Sequence, residues 1–248
     1  MSGGPGTVWR DRFRVRFFDT DPTGRASVAA VCRYLQEAAD SHTRPYQLSL
    51  TDLLAEGRMW VLSRLAIQFV RMPRLAEEVA VDTWGSNRLG GLRAYRDFRM
   101  LDEAGETLAE ASSMWLILDA VTKRPVRLPE SILVFRHAEW RTPEAVDAVK
   151  LDAPSRGMYE ARFRVGWRDL DANRHANNVR YVEWMLEALP DEIFESSRLV
   201  GVDIQFVGEA ARGDEIVSAS EAAGDGAFRH GLTNGDGAVL AVGRSVWK

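Results

Sequence analysis

The feature that most constrains this chain is an internal repeat. RFRVRFFDTDPTGR (Arg12 to Arg25) aligns without gaps on RFRVGWRDLDANRH (Arg162 to His175), so Phe13, Val15, Asp19 and Asp21 fall on Phe163, Val165, Asp169 and Asp171. The same offset, 150 residues from Arg12 to Arg162, carries Glu37 onto Glu187 and Ala38 onto Ala188. Further on, IQFV recurs at Ile67 to Val70 and Ile204 to Val207, and LAEASSMW (Leu108 to Trp115) resembles LAVGRSVW (Leu240 to Trp247). Three matches in one order mean two copies of one structural unit, the first with longer loops because its offsets shrink along the chain. A chain of 248 residues is long enough for two such cores.

Within each copy, periodicity sets the elements. Residues 12–18 and 162–168 alternate apolar and charged side chains, which predicts a half-buried strand. A helix follows, with Val28, Val31, Leu35 and Ala38 on one face in the first copy and Val179, Val182, Leu186 and Leu189 in the second. Asn177 or Asn178 suits its N-cap and Pro190 its end. Segments 60–72, 77–88, 92–102 and 107–119 then read as strands separated by turn sequences, and 198–211, 214–222, 227–233 and 238–247 repeat the series.

An antiparallel sheet with one apolar face buries such a helix by curling around it. The expected class is therefore α+β, a double hot-dog with two tandem copies of a sheet wrapped around a central helix. Residues 10–119 form the N-terminal copy, 120–158 a linker and 159–248 the C-terminal copy. FRHAEW at 135–140 is a candidate short helix within the linker. The copies can pair as a pseudo-dimer, which removes the need for a homodimer and leaves one open.

Composition narrows the function. A net charge of -4 and a pI near 5.7 argue against a nucleic-acid binder that works by neutralising phosphates. Lysine occurs only at Lys123, Lys150 and Lys248, so arginine carries nearly all the positive charge; base composition accounts for this more simply than carboxylate or phosphate recognition does. The single cysteine, Cys32, excludes an intrachain disulfide. The start MSGGPGTVWRDRF has no signal-peptide core and no stretch reaches 18 uninterrupted apolar residues, so the expectation is a cytoplasmic chain with no membrane partner and a mobile Gly-rich lead-in over residues 1–7. Nothing resembles HExxH or a Gly-rich nucleotide loop, so no metal and no cofactor is expected.

The second copy carries DLDANRHANNVRYVEW, residues 169–184. Asp171, Asn173 and His175 alternate at spacing two, which in an extended segment turns them to one side. A carboxylate beside an imidazole fixes its tautomer, an amide can hold a water or a carbonyl, and backbone N–H groups around Asn177 to Val179 could hold a polarised oxygen. A polar strand end capping a helix has similar letters, but the repeat discriminates. Asn173, His175 and Glu209 fall opposite Thr23, Arg25 and Met72, whereas residues serving the fold should recur in both copies. His42, His137 and His230 read as surface or structural. Glu187, with its twin Glu37, reads as structural rather than as the helix carboxylate of a hydratase.

DLDANRHANNVRYVEWMLEALP, together with VDIQFVGEAARGDEI, resembles the catalytic half of the acyl-acyl carrier protein thioesterases of plants and bacteria, and WVLSRLAIQFVRMP resembles their first half. The resemblance spans roughly residues 10–247. It implies hydrolysis of a fatty acyl thioester on acyl carrier protein, with Asp171, Asn173, His175 and Glu209 as catalytic residues and the first copy shaping the acyl pocket. Many plant members have a cysteine after the glutamate; Ala210 stands here, which favours direct attack by water. The other readings are an acyl-CoA thioesterase, an enoyl-thioester hydratase and a non-catalytic acyl-thioester binder. Arg71, Arg74, Arg88 and Arg93 are the cations expected to meet an acidic carrier.

Overall fold

The computed structural model describes residues 8–86, 91–137, 151–155 and 157–248. Its Cα framework clusters into two compact units, Met1–Ser63 with Val70–Val146 and Arg64–Phe69 with Asp147–Lys248.

The first unit contains β1 (Trp9–Arg14), α1 (Val28–Thr43), α2 (Leu50–Ala55), β2 (Arg58–Phe69, whose last six residues belong to the second unit), β3 (Glu78–Gly85), β4 (Ala94–Leu101), β5 (Thr107–Asp119) and the two-residue β6 (Pro125–Val126). Its strands run β1-β3-β4-β5-β2, with β6 on β5, and the registered pairs are antiparallel. Helix α1 starts where Ser27 Oγ accepts the Ala30 N–H at 3.1 Å, and packs on β1 and β3 with Val31, Leu35 and Ala38 buried. Cys32 is buried on the same helix, as a small hydrophobe.

The second unit repeats the plan: β7 (Tyr159–Arg164), α3 (Asn178–Leu186), α4 (Asp191–Ser196), β8 (Leu199–Phe206), β9 (Glu215–Ala222), β10 (Ala227–Asn234) and β11 (Val239–Trp247). The order is β8-β11-β10-β9-β7, antiparallel throughout. Asn177 is the N-cap of α3, its Oδ1 accepting the Val179 N–H at 2.9 Å, and the helix buries Val179, Val182 and Leu186 against β9, β10 and β11. Each unit is thus a sheet with one long helix on it, the α+β hot-dog arrangement the periodicity predicts. Among the described residues, no helix is long and apolar enough to cross a membrane.

Several boundaries differ from the sequence reading. The first strands end at Arg14 and Arg164, not at 18 and 168, because Asp19 and Asp169 accept the N–H groups of Arg16 (3.0 Å) and Gly166 (2.8 Å) and wind Phe17–Asp19 and Trp167–Asp169 into 3₁₀ turns. Helix α3 stops at Leu186, and Pro190 instead caps the start of α4. Strand β8 stops at Phe206 rather than 211, which leaves Glu209 on a loop. Phe135 ends a 3₁₀ helix, Glu130–Phe135, instead of opening one; residues 138–140 of the expected short helix and the lead-in 1–7 lie outside the described residues.

Both cores hold a buried histidine. His230 bridges Ser220 Oγ (Nδ1, 2.7 Å) and Ser245 Oγ (Nε2, 2.8 Å), while His42 meets Arg96 (3.0 Å) and stacks on Trp9. Burial first, and for His42 also the Arg96 charge, lowers each to about 3, so both are neutral structural groups. An unfolded chain protonates these imidazoles near pH 6.5 while the folded chain does not, so the unfolded state binds more protons between about pH 3 and 6.5, and stability falls as pH drops through that window. Each histidine contributes a slope of about 1.4 kcal/mol per pH unit there. Urea unfolding at pH 7, 6 and 5 should show a shallower acid loss for His230→Asn than for the parent chain.

Candidate active site

The two copies build the same turn, bond for bond. In the first, Asp21 N–H donates to Arg25 O (2.8 Å), Gly24 N–H to Asp21 O (3.0 Å), Thr23 N–H to Asp21 Oδ1 (2.8 Å) and Ala26 N–H to Pro73 O (2.8 Å). In the second, Asp171 N–H donates to His175 O (2.9 Å), Arg174 N–H to Asp171 O (3.0 Å), Asn173 N–H to Asp171 Oδ1 (2.8 Å) and Ala176 N–H to Ala210 O (2.8 Å). The spacing of two suggests an extended segment; the chain instead closes a turn, with Arg174 left-handed (φ 64°) where the first copy has Gly24 (φ 73°).

That turn places the polar residues. A β-bridge from His175 to Ala211 and the Ala176–Ala210 bond hold the loop after β8 against it, so His175 Nε2 lies 3.3 Å from Glu209 Oε2. Both side chains are partly exposed, at 28% and 40%. Asp171 sits beside them. Burial pushes its carboxyl up from the usual range, opposed by the N–H groups of Asn173 and His175 and by the His175 charge. Asp171 therefore grips backbone, as Asp21 does in the first copy. The Asn173 Oδ1 is buried without a hydrogen-bond partner among the described residues, an acceptor the fold leaves unused.

At the helix start, two of the three N–H groups expected to be free are already taken. The Asn177 N–H is taken by Asp169 O (2.8 Å) and the Val179 N–H by the Asn177 side chain. Glu187 is exposed at the C-cap of α3, and Glu37 is exposed on α1.

Sequence reasoning missed Tyr181. Its hydroxyl accepts the Ala210 N–H at 2.8 Å and donates to Gly208 O at 3.2 Å, touching both residues that flank Glu209. Burial, above all, raises its pKa to about 12, so it keeps its proton. The signal lay in the repeat, which sets Val31 opposite Tyr181 and Pro73 opposite Ala210.

Two hot-dog copies, only one with this polar set, define a double hot-dog protein with a candidate site in its second half. Residues 6–135 match the model of the acyl-ACP thioesterase N-terminal domain and residues 153–248 that of the C-terminal domain. The chain belongs to the acyl-ACP thioesterase family. It is 29% identical to the chloroplastic palmitoyl-acyl carrier protein thioesterase of Arabidopsis thaliana, over 98% of this chain and 64% of that protein. It is 27% identical to the dodecanoyl-[acyl-carrier-protein] hydrolase of Cinnamomum camphora, over 93% and 63%. The chain thus spans under two thirds of the length of these curated relatives. Among solved structures it resembles an acyl-ACP thioesterase from Bacteroides thetaiotaomicron (TM-score 0.88, 24% identity, 97% and 98% covered) and the 12:0-ACP thioesterase of Umbellularia californica (0.86, 25%, 97% of each).

Because Asp21 and Asp171 do the same backbone work, Asp21→Ala and Asp171→Ala should destabilise alike. The expected loss is about 1–3 kcal/mol each, read as a lower urea midpoint, with Asn at either position recovering part of it.

Proposed function

We propose that this chain hydrolyses fatty acyl thioesters of acyl carrier protein, releasing the free fatty acid and the carrier thiol. The observation that carries the reading is the His175–Glu209 contact at 3.3 Å, at positions that hold Arg25 and Met72 in the first copy, in a chain of this family. Glu209, alone or with His175, takes a proton from water; the water oxygen bonds to the acyl carbon, the C–S bond breaks, and the sulfur leaves as a thiolate that takes up the proton. The Asn173 amide holds the reactants, its unused oxygen accepting from the water or its NH₂ donating to the thioester carbonyl. Asp171 keeps the turn closed. In this reading the first copy serves the acyl chain.

A cysteine nucleophile has no place in this scheme, since Ala210 follows Glu209 and Cys32 is buried in α1. The hydratase alternative needs Glu187, which is exposed at the end of α3.

For the acidic carrier, Arg168, Arg174 and Arg212 are exposed on the loops that bear the site, with Arg212 over the ring of Trp167. Of the arginines first expected, Arg71 is held by Glu77 and Asp102, Arg74 and Arg93 are exposed, and Arg88 lies outside the described residues. The KM for acyl-carrier substrate should therefore rise with salt more steeply than that for acyl-CoA. Equal slopes would count against carrier docking.

The test of the chemistry is asymmetric. Asn173→Ala, His175→Ala and Glu209→Gln should each lower kcat by ~10²-fold or more, with smaller effects on KM. Thr23→Ala, Arg25→Ala and Met72→Leu should stay within a few-fold of the parent. Full activity in Glu209→Gln would remove the base from the mechanism.

A further inference from the structure

The loop that carries Glu209 is held from below by the side chain of Tyr181. The ring of Tyr181 is buried on α3, tilted against Trp184 (5.6 Å) and edge-on to Phe206 (5.7 Å) at the end of β8. Its hydroxyl then makes the two bonds to Ala210 N–H and Gly208 O. These backbone groups lie immediately before and after Glu209, so the three atoms fix the peptide planes from which the carboxylate projects.

The first copy contains a natural comparison. It closes the same turn and the same loop bridge, yet it has Val31 for Tyr181, Met72 for Glu209 and Pro73 for Ala210. A proline has no N–H to give, and a valine has no hydroxyl to receive it. The clamp and the carboxylate are therefore both present in one copy and both absent from the other, while the bridge beneath them is common to the two. Closing the loop does not need the tyrosine.

We propose that Tyr181 is a positioning residue for Glu209. Its hydroxyl fixes the Gly208–Ala210 segment so that the carboxylate meets His175 and the attacking water. This rests on Glu209 being the proton acceptor.

The experiment is a double-mutant cycle on Tyr181→Phe and Glu209→Gln, read with acyl-carrier substrate alongside thermal melts. Tyr181→Phe should lower kcat at least tenfold while KM stays within threefold and the chain stays folded. In the Glu209→Gln background, the same substitution should lower the residual kcat by less than twofold, because the group it positions is gone. Undiminished kcat in Tyr181→Phe, with Glu209→Gln inactive, overturns the role of Tyr181 and leaves the hydrolase reading standing. Full activity in Glu209→Gln overturns that reading first. A tenfold loss from Tyr181→Phe in both backgrounds also overturns the proposal, since the tyrosine would then act independently of Glu209. A measurement on the parent chain covers the case where Tyr181→Phe does not fold: the Ala210 amide should exchange with solvent at least a hundredfold more slowly than the exposed Arg212 amide, and equal rates would overturn the clamp.

Discussion

Everything at the candidate site depends on one main-chain hydrogen bond, from the Ala176 N–H to the Ala210 carbonyl. His175 and Glu209 lie 34 positions apart on loops at the ends of different elements, and this bond, with the bridge from His175 to Ala211, brings them within 3.3 Å. It demands a donor from one residue and a carbonyl from the other, and nothing from either side chain. That is why it survives in the first copy, where the acceptor is Pro73. Asp171 and Asp21 add the second constraint, each closing its turn by taking backbone N–H groups.

A scaffold secured this way leaves its outward side chains free to differ. Thr23 Oγ1 bonds back to Asp21, so the first turn is satisfied within itself, whereas Asn173 at the same position has a buried oxygen with no partner among the described residues. An unused buried acceptor costs about 1–3 kcal/mol. His175 and Glu209 remain partly exposed, so solvent can reach the pair, and the Tyr181 hydroxyl bonds to the loop from the buried side.

Much of this was legible in the letters. The repeat gave two copies because aligned segments fold alike, and the apolar stripes Val31, Leu35 and Ala38, and Val179, Val182 and Leu186, mark the faces that the sheets bury. The four candidate residues stood out because only one copy has three of them. Other features have no signature in a periodic pattern. A turn and an extended strand both put Asp171, Asn173 and His175 at alternate places, and only the backbone bonds tell them apart. The helix start looked rich in free N–H groups, but the same asparagine that marks the N-cap uses one of them. Tyr181 is buried in the core, and its hydroxyl finds partners 27 and 29 residues away.

Arg174 shows how far the specialised copy departs from its twin. The left-handed backbone at this position suits Gly24 in the first copy and costs a side chain of ordinary shape about 1 kcal/mol. The turn keeps that conformation because bonds on either side fix it: Asp171 N–H to His175 O, Arg174 N–H to Asp171 O, and Ala176 N–H to Ala210 O. None of these uses the arginine's side chain, so its guanidinium is left exposed beside His175. The same division holds across the candidate site. Main-chain bonds shared with the first copy carry the shape, and the residues that break the repeat, Asn173, Arg174, His175, Tyr181 and Glu209, gather where that shape brings two loops together.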